Sequence, residues 1–72
     1  MADKYKIPFI NASIRGFASR MGLPVKNAFQ YISRFNGLNF LVEFYPTLHL
    51  QSIDDTVDDL IIICKKNGGI LQ

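Results

Sequence analysis

The chain has 72 residues, a formal net charge of +2 and a 49% hydrophobic composition that includes six Phe and three Tyr. That length accommodates one domain, 1–72, and the single cysteine, Cys64, excludes an intramolecular disulfide and fits a reducing compartment better than a stapled secreted scaffold. The longest uninterrupted apolar run, Leu60 to Cys64, is far too short to cross a bilayer, and no apolar signal region follows the opening MADKYK, so a cytoplasmic protein without a membrane anchor is expected.

A domain this small buries only about 60% of the surface its unfolded chain exposes, so it needs a rich core, a staple or an oligomeric partner. The aromatic and aliphatic content supplies the core. Charge is distributed unevenly. Residues 1–36 carry Lys4, Lys6, Arg15, Arg20, Lys26 and Arg34 against Asp3, whereas residues 37–72 carry Glu43, Asp54, Asp55, Asp58 and Asp59 against Lys65 and Lys66. Such asymmetry is consistent with polar recognition of a partner, and equally with attraction between the two halves of one fold.

The first predicted helix spans roughly 7–21. Pro8 is tolerated near a helix start. Ile7, Ile10, Ile14, Phe17 and Met21 recur at spacings of three and four, a single helical stripe that Ala18 widens. Gly16 interrupts it at a cost of roughly 1 kcal/mol relative to Ala, which points to close packing of a neighbour there. Gly22 ends the helix in the left-handed conformation.

A second helix, roughly 24–36, opens near Pro24, with Val25, Ala28, Phe29, Ile32 and Phe35 on its inner face, and Asn36-Gly37 stops it. The third, roughly 38–45, is densely apolar. Leu38, Leu41, Val42 and Tyr45 share one face, and Phe40 and Phe44 lie four apart on the next. Pro46 ends or kinks it, and 47–51 form a turn or a short helical extension. The last helix spans 53–66. Ser52 caps it, Asp55 falls three residues on in the first turn, and Lys65 and Lys66 meet the negative end of the dipole. LIIIC alone also suits a strand, but the caps bracket a helix of ordinary length. The sum is an all-α bundle of about four short helices.

The segment SIDDTVDDLIIICKK carries the strongest functional signal. At 100° per residue, Ile53, Val57, Leu60, Ile61 and Cys64 gather into one stripe, the four aspartates take the opposite side, and Ile62 falls among them. A solvated face stabilised by the helix dipole accounts for part of this pattern. Yet Asp54/Asp58 and Asp55/Asp59 are like charges four apart, which disfavour a helix, and an acidic rim around an apolar anchor suits docking on a basic partner. Asp55, Asp58, Asp59 and Ile62 are therefore the candidate partner-binding residues. The spacing lacks the alternating ligands, Gly and distal Glu of a calcium-binding loop.

His49, the only histidine, has no second ligand nearby and reads as a packed or capping imidazole. Cys64 lies on the buried stripe and reads as a core residue. No catalytic constellation, metal site, cofactor motif or phosphate loop is recognisable, so no enzyme activity is expected. The helices joined by Asn36-Gly37 have the outline of a helix-turn-helix, with Arg15, Arg20, Lys26 and Arg34 as candidate phosphate contacts. The would-be reading helix, LNFLVEFY, offers only Asn39 and Glu43 to bases, which argues against nucleic acid.

The order of features from Gly22 to Leu60 resembles a small bacterial family of unknown function. The matching features are Gly22-Leu23, Lys26 to Phe29, Phe35 to Gly37, Phe44-Tyr45, Leu48-His49 and the acidic stretch Asp54 to Leu60. Genes of that family often sit beside one for an ADP-ribosyltransferase-like toxin. The resemblance thus implies an antitoxin-like or partner-binding role, and it supplies no catalytic residues. Pro24 and Pro46 depart from the family pattern, which bears on helix boundaries. Three functional expectations follow. The first is a protein-interaction module docking through its acidic last helix. The second is a DNA-binding or autoregulatory domain using the basic half. The third is a homodimer with Ile62 and Ile63 across a two-fold axis.

Overall fold

A computed structural model describes residues 3–69. Five helices follow one another: α1 (Asp3–Met21), α2 (Val25–Arg34), α3 (Gly37–Glu43), α4 (Tyr45–Leu48) and α5 (Ile53–Lys66). α1 packs on α5 and on α2, and α3 closes the bundle by contacting α2, α5 and α4. The all-α expectation holds, with one short helix more than four.

The differences from the predicted boundaries have local causes. α1 begins at Asp3, so Pro8 lies inside it. Pro8, the sixth residue of α1, cannot donate to the carbonyl four residues earlier, so the helix gives up one bond in its second turn. α2 stops at Arg34, and Asn36, not Gly37, takes the left-handed conformation (φ 68°). Asn tolerates that region. The third segment breaks at Phe44, leaving α3 and the short α4, with Pro46 in the first turn of α4. There the missing N–H has no intrahelical partner to lose.

The predicted caps form. The backbone N–H of Asp55 donates to Ser52 Oγ at 3.1 Å, and Asp54 and Asp55 occupy the first turn of α5 with Lys65 and Lys66 in the last. α1 ends at Gly22 (φ 67°). There Leu23 N donates to Ala18 O at 2.9 Å and Gly22 N to Ser19 O at 3.3 Å, the paired bonds of a Schellman end. α5 ends the same way, through Gly69 N to Cys64 O and Gly68 N to Lys65 O.

The core is formed by Ile14, Phe17 and Ala18 of α1, Ala28 and Ile32 of α2, Leu41 of α3, Leu48 of α4, and Val57, Leu60 and Cys64 of α5. Each large aliphatic or aromatic member contributes roughly 1.5–3 kcal/mol by leaving water. Two polar side chains are buried with them, and both are satisfied. Ser13 Oγ donates to Phe9 O at 2.9 Å and Thr56 Oγ1 to Ser52 O at 3.2 Å. Tyr31 lies between Phe17 and Phe35, with ring centroids 5.7 and 4.9 Å away. Burial, with a smaller contribution from Cys64, raises its phenol pKa.

Four predicted inner positions are exposed instead. Ile7 is the most exposed, and Val25 and Phe29 of α2 also face outward, because Ala28 and Ile32 alone form the buried stripe of that helix. Val42 likewise turns to solvent while Leu41 and Tyr45 are buried. Gly16 does serve close packing. A methyl group there would stand 3.1 Å from Ile53 Cγ2 and from Val57 Cγ2, so the absence of one lets α5 approach α1.

Two predictions follow from this packing. A Cβ at Gly37 would meet Ile32 Cγ2 at 2.8 Å and Ile32 O at 3.2 Å. Gly37→Ala is therefore expected to lower unfolding free energy by about 1–3 kcal/mol in urea titrations. Burial pushes the Cys64 thiol up from 9.0 to about 11. The unfolded chain then ionises first as pH rises, so stability present below pH 9 is lost between 9 and about 11. Denaturant unfolding across that range should show a smaller decline in Cys64→Ala than in wild type, and the native thiol should resist alkylation at neutral pH.

Candidate functional site: an acidic helix edge beside an apolar groove

The two-sided character of α5 survives in three dimensions. Val57, Leu60 and Cys64 are buried, joined by Thr56, while Asp54, Asp55, Asp58 and Ile62 are exposed and Asp59 is half-buried. Tertiary packing divides the aspartates. Asp54 and Asp58 lie on the α1 side. Arg20 Nη1 donates to Asp58 Oδ1 at 2.7 Å, and Arg20 Nη2 stands 3.9 Å from Asp54 Oδ1. The Asp58 hydrogen bond, helped by the charges of Asp58 and Asp54 and opposed by desolvation, raises the Arg20 pKa. One cation thus spans two like charges four residues apart and offsets their repulsion. The pair is solvent-exposed and contributes little to stability.

Asp59 lies on the opposite edge. Gln51 Nε2 donates to Asp59 Oδ2 at 2.9 Å and stands 3.4 Å from Thr56 Oγ1. Gln51 therefore ties the segment before α5 to the first turns of that helix. Asp55 and Ile62 remain on the crest between the two edges. Asp55 forms no ion pair among the described residues, and Ile62 is 51% exposed.

Beside the Asp59 edge runs a groove of 320 Å³. Phe40 and Phe44 reach it from α3 and its end, Thr47 and Leu48 from α4, Gln51 from the connection, and Asp59, Ile62 and Ile63 from α5. The Phe40 and Phe44 rings are 5.3 Å apart, and Phe44 is 48% exposed. Apolar walls with a single carboxylate and a single amide make a surface that can bury a hydrophobic side chain and fix a cation next to it. Of the predicted partner-binding residues, Asp59 and Ile62 line this groove, Asp55 stands on the crest, and Asp58 is engaged by Arg20. Phe44, Thr47 and Gln51 were not foreseen as members. The four-residue spacing of Phe40 and Phe44 is the sequence signal that points to them, whereas Gln51 carries none.

The candidate phosphate contacts do not share a face. Arg15 and Lys26 border a cleft between α1 and α2 with Asn11, Ile14, Val25 and Phe29. Arg34 lies over Phe35, 5.8 Å from the ring centroid, at a separate depression. Arg20 belongs to the α5 aspartates. The exposed side of α3 presents Asn39, which donates to Asn36 Oδ1, along with Val42 and Glu43. His49 stacks on Tyr45 with centroids 4.9 Å apart, and Phe9 meets the same Tyr45 ring edge-on at 5.3 Å. His49 is exposed and is the C-cap residue of α4, so its imidazole stacks on Tyr45 at the surface and is not packed into the core. Among the described residues no three His, Cys, Asp or Glu side chains converge on a common point, and no helix is long and apolar enough to cross a membrane.

No curated protein and no solved structure gives a match to the chain. The model of one family, described as a protein of unknown function (DUF3791), matches residues 9–67. That span takes in α2 to α5 and all but the first six residues of α1, including every residue of the groove and of the acidic edge, and the chain belongs to the DUF3791 family.

Proposed function

We propose that this chain is a small, non-catalytic protein-interaction module of the cytoplasm. It docks a basic partner along the crest of α5 and seats an apolar side chain of that partner in the neighbouring groove. The observation that carries this reading is the placement of Ile62. It is half exposed on a crest shared with Asp55 and flanked by Asp58 on one edge and Asp59 on the other, and it also forms part of the groove wall. The exposed half of an isoleucine among carboxylates adds nothing to the core, whereas at an interface it supplies an anchor and the carboxylates supply orientation and steering. Because Asp58 is shared with Arg20, a partner's cation competes with Arg20 there and finds Asp55 unpaired.

The family resemblance drawn from the sequence gives this reading its sharper form, in which the partner is a toxin-like enzyme encoded beside this chain and the module is its antitoxin-like inhibitor. A helix-turn-helix role draws less support from the geometry. Arg20 is already engaged, Arg34 and Lys26 border different depressions, and α3 with the residue that ends it spends exposed surface on Val42 and Phe44.

The test is co-expression with the product of the adjacent gene, followed by calorimetric titration of the purified pair. Replacing Asp55, Asp58 and Asp59 by Asn together with Ile62→Ser is expected to weaken binding by about 10- to 100-fold, the scale of losing an interface anchor with its charges. The circular dichroism melt should stay close to wild type, since none of the four side chains belongs to the buried core and an asparagine in place of Asp59 still offers an oxygen to Gln51. Unchanged affinity in a folded variant removes α5 as the docking face.

A further inference from the structure

The α1–α2 cleft resembles the α5 groove in form and opposes it in charge. Arg15 and Lys26 stand at its rim, Val25 and Phe29 are 49% and 46% exposed, and the cleft measures 320 Å³. Neither cation forms an ion pair among the described residues. Ile7, two turns before Ile14 on the same face of α1, extends the apolar strip. Val25 and Phe29 thus lie outside the core, beside two cations that have no carboxylate partner among the described residues. A large apolar pair framed by one sign of charge marks an interaction surface.

We infer that this cleft is a second docking surface, and that its occupant is the acidic crest of α5 from another copy of the chain. Charge complementarity selects that occupant. Asp55, Asp59 and Ile62 fall at i, i+4 and i+7 on α5, two carboxylates and one apolar anchor in a row. The cleft offers two cations around two apolar side chains. Lys65 and Lys66 lie at the far end of α5, about 15 Å from Asp55, so the crest has a negative and a positive end and only one orientation matches the cleft. Within one molecule the two surfaces cannot meet. Gly16 and Arg20 of α1 face α5, whereas Ile14 and Arg15 border α2 on the other flank of the same helix. The complement must therefore come from a second molecule, and the contact is head-to-tail, one cleft on one crest, leaving a free face at each end. The inference shares α5 with the proposed function, and the cleft is its own. Partner binding at the crest and self-association compete for the same residues.

Sedimentation of the full chain over a range of concentrations, at low and at high salt, tests it. The average mass is expected to rise with concentration at low salt and to return to the monomer at high salt, as rim charges require. Arg15→Glu/Lys26→Glu and Asp55→Lys/Ile62→Ser should each be monomeric alone. Mixed together, they should form a one-to-one dimer that grows no further, because only one intact cleft and one intact crest remain. Arg15→Gln/Lys26→Gln serves where charge reversal impairs folding, and circular dichroism verifies each variant. Four results overturn the inference: a wild-type chain that stays monomeric throughout, association that survives loss of the cleft cations, a mixture that does not pair, or a monomer whose cleft cations bind duplex DNA instead. Titration of Arg15→Glu/Lys26→Glu with the adjacent gene product, at chain concentrations where the wild type is monomeric, should match wild type, so failure here and failure of the α5 docking face are read separately.

Discussion

The crossing of α1 and α5 at Gly16 is the contact from which the rest of the surface follows. With no side chain at Gly16, Ile53 and Val57 of α5 come within van der Waals reach of the α1 backbone. That approach rotates α5 so that Val57, Leu60 and Cys64 face the core. The remaining sides of α5 are then determined by helical geometry alone. One edge lies beside Arg20 and the other beside α3 and α4.

This arrangement resolves the conflict built into the aspartate pairs. Like charges four apart on a helix repel, and the fold answers each pair differently. Asp54 and Asp58 receive one guanidinium between them, while Asp59 receives an amide from Gln51. The attraction between the basic first half and the acidic second half is therefore partly internal, as Arg20 demonstrates. It is also incomplete, since Asp55, Arg15 and Lys26 carry no ion pair among the described residues. Arg15 and Lys26 border the same cleft as the exposed Val25 and Phe29, and Asp55 stands two turns before the exposed Ile62 along the crest of α5. Exposed hydrophobic area and uncompensated charge thus coincide at two separate places.

A domain of 72 residues has few ways to hide all its apolar groups. α2 buries only Ala28 and Ile32, and α3 buries only Leu41 among its large side chains. Narrow buried stripes on short helices leave the flanking Val25, Phe29, Val42 and Phe44 to solvent or to partners. The groove arises in the same way. The break at Phe44 ends α3, redirects the chain into α4, and leaves Phe40, Phe44 and Thr47 facing the outer edge of α5.

Local chemistry written in the sequence determined the helical class, the span of α5, its Ser52 cap, the Gly22 stop and the burial of Cys64. Each depends on residues within a turn or two of one another, so periodicity and capping are enough to read them. The candidate site was legible only in part. Ile62 among the aspartates was visible because one helix carries them all. The pairing of Arg20 with Asp58, the amide of Gln51 on Asp59, and the groove between Phe44 and Ile62 join residues far apart in the chain, and no local rule encodes such meetings. The same limit explains Val25 and Phe29. Periodicity reveals that a helix has an apolar side, but how wide a strip of that side is buried depends on the neighbours, and only the packing of α2 against α1 and α3 decided it.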